Sequence, residues 1–297
     1  MNLSGRIGFF DSGIGGLTVL QTCLNDLKNQ LLYYYGDNQH APYGNLSKEK
    51  IQEYVGQAFE TFAFLRVQAV VIACNTVTAL CIDELRKKYD FSVIGAEPAL
   101  FPAAKKGGEI LVLCTKRTAE SNRVQALKER SEKQFPNSRI TLHPCPDLAE
   151  VIEKSPFLCP RDLSDYLPKR KADAVVLGCT HYIYYKKQIE EFYNCPVFDG
   201  NEGIKYQLLR SINHGRYKNE HERPLDEDLK QKSLYSDLQN AYCLRVDELE
   251  NISERDIGKN ACKSIKNPFN NRLLFIGSGQ ENNEKVYKQM FAFYKNG

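Results

Sequence analysis

Two of the ten cysteines in this 297-residue chain stand in matching positions where thiols can do chemistry. Cys74 opens the triplet Cys-Asn-Thr and Cys179 opens the triplet Cys-Thr-His, and each triplet directly follows an apolar run. Inverting a carbon centre without a cofactor needs a base on one face and an acid on the other. A free thiol has a pKa of about 8.5, so one sulfur can fill both roles in turn. The pair therefore favours reversible proton exchange, although inert cysteines at two strand ends remain the alternative.

Asp11 also ends an apolar run, and the turn Ser-Gly-Ile-Gly-Gly follows it. This turn lacks the lysine and the spacing of a phosphate loop. We predict instead that its backbone N–H groups approach a small carboxylate and that Asp11 faces the cleft near Cys74. Asp11 as a simple turn or cap residue is the alternative.

His181 lies two residues after Cys179 and is placed to exchange a proton with that thiol. No further paired ligands stand nearby, so a metal site is not predicted. Tyr43, Asn75, Thr76 and Thr180 offer hydrogen bonds to substrate carboxylates. Asp37 and the Pro42–Gly44 turn follow another strand, on the face where parallel sheets bind ligands.

Short apolar runs alternate with longer stretches of helical period, which is typical of α/β proteins with mainly parallel sheets. The predicted strands are Ile7–Phe10, Leu31–Tyr35, Ala69–Ala73, Ser92–Gly95, Ile110–Leu113, Arg139–His143, Ala174–Gly178, Pro196–Phe198 and Leu273–Ile276. The predicted helices are Gly16–Leu27, Lys48–Leu65, Val77–Lys88, Glu120–Gln134 and Tyr182–Tyr193, with Ser47 as an N-cap. The charged, Asn-rich segment Gly215–Asn271 shows few strand signals and has no assigned role.

Three apolar segments recur at offsets of about 104 residues. They pair Ala69–Cys74 with Ala174–Cys179, Ile7–Ser12 with Ile110–Thr115, and Ser92–Glu97 with Pro196–Asn201. The repeat predicts two similar α/β domains in tandem, with the active site in the cleft between them. The two thiols then approach one substrate from opposite sides.

Composition excludes several classes of function. Hydrophobic residues make up 42% and charged residues 26%, as in ordinary globular proteins, and the net charge of +3 does not suggest direct nucleic-acid binding. No apolar run approaches the roughly 20 residues that span a bilayer, and the segment MNLSGRIGFFDSG does not show the apolar h-region expected of a signal peptide. The expectation is a cytoplasmic protein without membrane contact. Cysteines such as Cys23, Cys81, Cys114, Cys195 and Cys243 are interpreted as reduced core or surface residues.

Taken together, these residues resemble the glutamate racemases of the aspartate/glutamate racemase superfamily. The matching motifs are DSGIGG (Asp11–Gly16), YYGDNQHAPYG (Tyr34–Gly44), ACNT (Ala73–Thr76), GAEPA (Gly95–Ala99), LGCTHY (Leu177–Tyr182) and the shorter match FIGSGQENNEKVYKQ (Phe275–Gln289). The resemblance implies racemisation of L- and D-glutamate for peptidoglycan synthesis, with no cofactor and no metal, by a homodimer. It also implies that the second domain is inserted in the first, giving residues 1–97 with 207–297 and residues 98–206.

The resemblance also implies roles for individual residues. Cys74 matches the base for the D-enantiomer and Cys179 the base for the L-enantiomer, assisted by Asp11 and His181 respectively. Glu153 matches a further carboxylate in the cleft. The substrate-binding positions are Ser12, Pro42, Tyr43, Gly44, Asn75, Thr76, Thr118 and Thr180.

The chain departs from the family pattern at several places. Ile183 replaces the usual proline after the Cys-Thr-His-Tyr run, Val124 replaces a tyrosine, and the stretch 149–152 before Glu153 differs from the usual Val-Pro-Leu-Val. Two other functions are weighed: racemisation of a related acid such as aspartate, and a non-catalytic binding protein on this fold. Retention of both thiols, Asp11 and His181 favours catalysis.

Overall fold

A computed structural model of the chain describes residues 5–27, 30–154, 164–214, 242–245 and 272–277. The strands in these ranges are β1 (Gly5–Asp11), β2 (Gln30–Gly36), β3 (Ala69–Ile72), β4 (Ser92–Gly95), β5 (Gly108–Cys114), β6 (Ser138–Pro144), β7 (Ala174–Gly178), β8 (Val197–Phe198), β9 (Tyr242–Arg245) and β10 (Arg272–Gly277). The α-helices are α1 (Leu17–Leu24), α2 (Lys48–Phe64), α3 (Asn75–Lys88), α4 (Leu100–Ala104), α5 (Lys116–Glu120), α6 (Asn122–Gln134), α7 (Leu148–Lys154), α8 (Lys186–Tyr193) and α9 (Asn201–His214). Short 3-10 helices span Tyr43–Asn45 and Thr180–Tyr185.

The strands form two sheets that repeat one order. The first runs β4-β3-β1-β2-β10-β9 and the second runs β8-β7-β5-β6. The strands matched by the sequence repeat therefore occupy equivalent places: β1 with β5, β3 with β7, and β4 with β8. All neighbours are parallel except β9 and β10. The prediction of two similar, mainly parallel α/β domains is confirmed.

Each sheet is covered by apolar side chains on both faces. We call the first sheet with its helices the first half of the molecule and the second sheet with its helices the second half. Alternate residues of β1 and β5, such as Phe9 and Leu113, belong to one core that spans both halves and includes α1. The opposite faces pack separately: Phe10 of β1 lies in a core with α2 and α3, and Val112 of β5 lies in a core with α4 and α6. Burial on both faces explains why these strands read as continuous apolar runs rather than as alternating patterns.

The last two described strands belong to the first sheet. Strand β10 lies parallel to β2, and β9 pairs antiparallel with β10 at the sheet edge. Strand β9 was not among the predicted strands, because four residues at a sheet edge are too few to show a period. The rest of 215–271, and the motif residues after 277, lie outside the described residues. Helix α9 packs against α1, β3 and β4, while the exact domain limits remain a prediction.

Helix ends differ from the predictions where capping residues intervene. Ser47 caps α2 as expected, accepting a hydrogen bond from the Lys50 N–H at 3.3 Å. The predicted helix Glu120–Gln134 is interrupted at Ser121, whose hydroxyl accepts the Val124 N–H at 3.2 Å and starts α6. The predicted helix Tyr182–Tyr193 begins as a 3-10 helix and becomes α-helical at Lys186. Among the described helices, none is both long and apolar enough to cross a membrane.

Candidate active site

Cys74 lies at the carboxyl end of β3, as the N-cap residue of α3. Its neighbour β1 ends at Asp11, in register with β3 through Phe10 and Ile72. Parallel strands present their carboxyl ends at one edge, so the thiol and the carboxylate come together there. The Ser12 hydroxyl donates a hydrogen bond to the Cys74 sulfur at 3.6 Å. The predicted proximity of Asp11 and Cys74 is therefore present.

The surroundings of the Cys74 thiol favour its protonated form. Burial and the neighbouring Asp11 carboxylate raise its pKa to about 12, whereas hydrogen bonds from the Val77 backbone N–H and from Ser12 lower it. A helix N-terminus by itself favours the thiolate. Here desolvation outweighs it because Cys74 is only 6% exposed.

Asp11 is fully buried and holds the turn that follows it. Its carboxylate accepts hydrogen bonds from the Gly13 N–H at 2.9 Å and from the Thr180 hydroxyl at 3.1 Å. Burial raises its pKa to about 6, although the charge of His181 and the Gly13 N–H oppose the rise. Because Thr180 follows β7, this contact joins the carboxyl ends of the two sheets. Asp11 does act as a turn residue, and it also faces the cleft.

Cys179, His181 and Glu153 form a second chain of contacts on the opposite side. The Cys179 sulfur lies 3.7 Å from His181 Nδ1, and His181 Nε2 lies 2.5 Å from Glu153 Oε2. Burial alone lowers the pKa of His181, but hydrogen bonds to Cys179 and Glu153 raise it well above its ordinary value. The imidazole therefore holds a proton between a thiol and a carboxylate. Glu153 was identified only by resemblance, and the structure brings it to His181.

Three hydroxyl groups meet across the cleft. The Thr76 Oγ1 atom lies 2.9 Å from that of Thr115 and 3.4 Å from that of Thr118, and Thr115 donates to Thr118 at 2.9 Å. Thr76 belongs to α3 in the first half, and Thr118 to α5 in the second. Next to them, the buried Asn75 amide donates to the Ala96 carbonyl oxygen at 3.3 Å. The cluster offers buried hydrogen-bond partners to an anionic ligand.

The loop after β2 lies beside these hydroxyls. The peptide bond between Ala41 and Pro42 is cis, and a Cβ atom on Gly44 would lie 3.0 Å from Thr115 Cβ. The Tyr43 hydroxyl donates a short hydrogen bond to the buried Asp37 carboxylate, which His40 Nδ1 also contacts at 2.8 Å. The donor of Tyr43 is thus occupied by Asp37 in this state, and the ring packs against Phe10.

Three residues at the site escaped the sequence reasoning. Thr115 contacts two predicted substrate residues, Thr76 and Thr118. Its sequence signal was its match to Ser12 in the repeat, and in the structure it is the N-cap of α5. Asn38 and the Ile14 N–H hold Glu153, at 2.9 and 3.1 Å. These contacts with Glu153 join residues more than 100 positions apart, and a local sequence pattern does not predict such contacts. Within the described ranges, no group of three or more His, Cys, Asp or Glu side chains is arranged to hold a metal ion.

Replacing Asp11 with asparagine is expected to stabilise the protein at pH 7 while it impairs the site. The folded-state pKa of about 6 lies above the ordinary 3.8, so folding favours the protonated carboxyl. The wild type therefore loses stability as pH rises from about 4 to 6, by an amount on the order of 1–3 kcal/mol. Urea unfolding should show Asp11→Asn more stable at pH 7 and a shrinking difference towards pH 4. An equal difference at both pH values would contradict the burial argument.

Comparison with known proteins relates this arrangement to amino-acid racemases. A family model described as Asp/Glu/Hydantoin racemase matches residues 20–203. Glutamate racemase of Clostridium acetobutylicum is 38% identical over 217 residues, covering 69% of this chain and 83% of that protein. Glutamate racemase of Bifidobacterium animalis subsp. lactis is 38% identical over 223 residues, covering 70% and 84%.

Solved structures show the same similarity. Escherichia coli glutamate racemase, in complex with L-glutamate and the activator UDP-MurNAc-ala, matches with a TM-score of 0.62 and 27% identity, over 71% of this chain and 83% of that one. A glutamate racemase isoform from Bacillus anthracis matches with a TM-score of 0.59 and 28% identity, over 72% and 83%. Both carry the α/β architecture with two domains.

Proposed function

Because this chain belongs to the Asp/Glu/Hydantoin racemase family, we propose that it interconverts L- and D-glutamate by a two-thiol mechanism, without a cofactor. As an amino-acid racemase it is an isomerase. The observation that carries the mechanism is the placement of two buried thiols at equivalent strand ends, each beside its own acid/base partner. The D-glutamate that it produces supplies peptidoglycan synthesis.

In the direction from L- to D-glutamate, the Cys179 thiolate removes the α-proton and forms an S–H bond. The electron pair left on the α-carbon then takes the proton of the Cys74 thiol from the opposite face. Each turnover exchanges the protonation states of the two sulfurs, so protons must return before the next L-glutamate reacts. A Cys74 thiol that holds its proton at neutral pH, with its pKa raised to about 12, suits the acid of this direction.

The partners of the two thiols differ in charge. Asp11, with its pKa raised to about 6, is suited to take up the proton of Cys74 when that sulfur must act as the base. His181 lies against Cys179 and holds a proton supported by Glu153, so it stabilises the Cys179 thiolate. Positioned groups of this kind contribute roughly 10²–10⁴-fold each to proton transfer.

Glutamate binding rests on donors from both halves. We assign its carboxylates to Ser12, Asn75, Thr76, Thr118 and Thr180, with the Pro42–Gly44 turn closing the pocket. Hydrogen bonds across the cleft, such as that from Thr180 to Asp11, hold the two faces in position. Buried hydroxyl and amide groups discriminate strongly between substrates because a poorly fitting ligand leaves them unpaired.

Circular dichroism of purified protein mixed with either enantiomer tests the reaction and the substrate. We expect the signal of both L- and D-glutamate to decay to zero, while aspartate keeps its signal. Decay with aspartate but not with glutamate would overturn the substrate assignment. Tight binding of glutamate without decay of either signal would favour a non-catalytic binding protein.

We further propose a homodimer that works in the cytoplasm, as the resemblance implies. Sedimentation velocity at micromolar concentration tests the assembly, with a species of twice the mass of the 33.9 kDa chain as the expected result. A single species at the mass of one chain would contradict it.

A further inference from the structure

Glu153 reaches across the cleft from α7 and is held by the first half of the molecule. Its side chain is only 9% exposed, so its carboxylate requires hydrogen-bond donors. The Oε2 atom accepts the Ile14 N–H at 3.1 Å and contacts His181 Nε2 at 2.5 Å. The Oε1 atom accepts the Asn38 side-chain amide at 2.9 Å. Each carboxylate oxygen is thus tied to a residue outside α7.

We propose that Asn38 is a positioning residue. Its hydrogen bond holds the Glu153 carboxylate against His181, and His181 in turn supports proton transfer at Cys179. The proposal rests on the proposed function and adds a residue that touches neither thiol. Consecutive contacts connect Asn38 to Glu153, Glu153 to His181, and His181 to Cys179. Cys74 is not part of this series of contacts and lies beside Asp11 and Ser12.

The surroundings restrict where the Glu153 carboxylate can settle. A Cβ atom on Gly13 would lie 2.3 Å from Glu153 Oε2 and 2.6 Å from Oε1, so the carboxylate lies directly against the backbone of the turn. The Ile14 N–H fixes one oxygen, and rotation about the last side-chain bond remains. The amide of Asn38 blocks that rotation by binding the other oxygen. Without it, the oxygen facing His181 loses its fixed direction.

The physical consequence falls on one half of the reaction. The contact of Glu153 raises the pKa of His181, and His181 stabilises a negative Cys179 sulfur. A misaligned Glu153 weakens one of the two contacts that oppose the effect of burial, so the imidazole gives up its proton more readily and stabilises a negative Cys179 sulfur less well. The Cys74 half keeps its own partners. The change is therefore asymmetric between the two proton transfers.

Three variants test the proposal. Asn38→Ala removes the donor, Asn38→Asp sets a carboxylate against Glu153 in nearly the same shape, and Gln39→Ala changes the exposed neighbour as a matched control. We expect kcat/KM to fall about tenfold in Asn38→Ala, since hydrogen bonds to charged groups are of that strength, and further in Asn38→Asp. Gln39→Ala should stay within about twofold of the wild type.

Isotope effects separate positioning from a general loss of structure. With α-deuterated substrates, Asn38→Ala should raise the isotope effect on kcat/KM for L-glutamate and lower it for D-glutamate, because proton removal by Cys179 becomes more limiting. His181→Asn should give the same pattern as Asn38→Ala, with a higher isotope effect for L-glutamate and a lower one for D-glutamate. Unchanged isotope effects for both enantiomers would overturn the proposal.

A double-mutant cycle identifies the route of the effect. In a Glu153→Ala background, Asn38→Ala should change kcat/KM less than twofold, because the carboxylate that it positions is gone. The same tenfold loss in both backgrounds would show that Asn38 acts elsewhere and would overturn the proposal.

A titration of His181 by NMR does not depend on turnover. We expect Asn38→Ala to lower the pKa of His181 relative to the wild type and Gln39→Ala, and equal values in all three would overturn the proposal. A wild-type enzyme that fails to racemise glutamate would instead refute the proposed function. The NMR result then still decides whether Asn38 positions Glu153.

Discussion

Replacing either Cys74 or Cys179 with serine is expected to lower the rate of glutamate racemisation by at least about a thousandfold in both directions. A serine hydroxyl is far less acidic than a thiol, so it neither forms the base nor returns a proton at neutral pH. Both directions fail together because each turnover uses one sulfur as base and the other as acid. The rate is measured by circular dichroism with each enantiomer, on protein whose folding is checked by thermal unfolding.

Cys195→Ser provides a matched control, since Cys195 is a partly exposed free thiol that follows the end of α8 and was not assigned to the site. Its activity should equal that of the wild type. Elimination of HCl from a β-chlorinated glutamate needs only one base, because chloride leaves as the α-proton is removed. Each serine variant should therefore retain elimination from the enantiomer that faces its remaining thiol. Near-normal racemisation by either variant would refute the two-thiol mechanism.

Gly15→Ala is expected to lower kcat/KM by roughly a hundredfold or more, although Gly15 performs no chemistry. A Cβ atom there would lie 2.4 Å from Thr180 Oγ1 and 2.8 Å from both the backbone nitrogen and Nδ1 of His181. The backbone of the 3-10 helix after Cys179 must therefore move, and with it the imidazole that contacts the thiol. Displacements of about 1 Å cost rates of this order when reacting groups must stay aligned. Steady-state kinetics in both directions measure the loss.

Gly56→Ala separates the steric effect from the general effect of adding a methyl group. Gly56 lies within α2, and a Cβ atom there meets nothing within 4 Å. This control should raise the free energy of unfolding by about 0.5–1 kcal/mol, because alanine favours the helix, and leave kcat/KM unchanged. If Gly15→Ala behaves like Gly56→Ala, the close approach of the two strand-end turns is unimportant for activity.

The two thiols share a scaffold but not an electrostatic setting. Equivalent strands place Cys74 and Cys179 at the carboxyl ends of two parallel sheets. Burial and the Asp11 carboxylate raise the pKa of Cys74, whereas Cys179 lies beside an imidazole whose pKa is raised by its contacts with Cys179 and Glu153. A racemase must have the same kcat/KM for two mirror-image substrates, because the two have equal free energy, yet different side chains accomplish the two proton transfers. The Asn38 proposal follows from that difference.

The site also carries a conflict between stability and activity. Asp11 is buried with a pKa of about 6, so at neutral pH the folded protein holds a carboxylate that is more easily charged in water. The predicted increase in the free energy of unfolding of Asp11→Asn at pH 7 measures the cost of keeping this carboxylate buried. Groups whose pKa values burial displaces towards neutrality are those suited to acid/base work.

Most of the fold could be predicted from the sequence because its signals are local. Parallel strands buried on both faces must be apolar throughout, and this produced the runs at β1, β3, β5 and β7. The repeat of these runs predicted two similar α/β domains, and the structure gives their two sheets the same strand order. Strand β9 was missed because four residues at a sheet edge carry too little period. The break at Ser121 was missed because a capping hydroxyl can interrupt a helix without changing its apolar pattern.

Of the candidate site, the sequence by itself determined the two cysteines, since matching strand-end triplets are visible in one dimension. Asp11 and His181 followed from their nearness in sequence to a strand end or a thiol. Only the tertiary structure decided which distant groups surround them. It placed Glu153 against His181 and brought Asn38 to Glu153 across 115 positions of sequence.

It likewise set the protonation of Cys74, where burial and Asp11 outweigh the helix N-terminus that the sequence could suggest. The physical reason is the same in each case. A strand or a turn is specified by neighbours along the chain, whereas desolvation and hydrogen bonds depend on neighbours in space. The sequence therefore showed Cys74 and Cys179 as a pair. The difference between their surroundings is seen only in the tertiary structure, where each thiol has different neighbours in space.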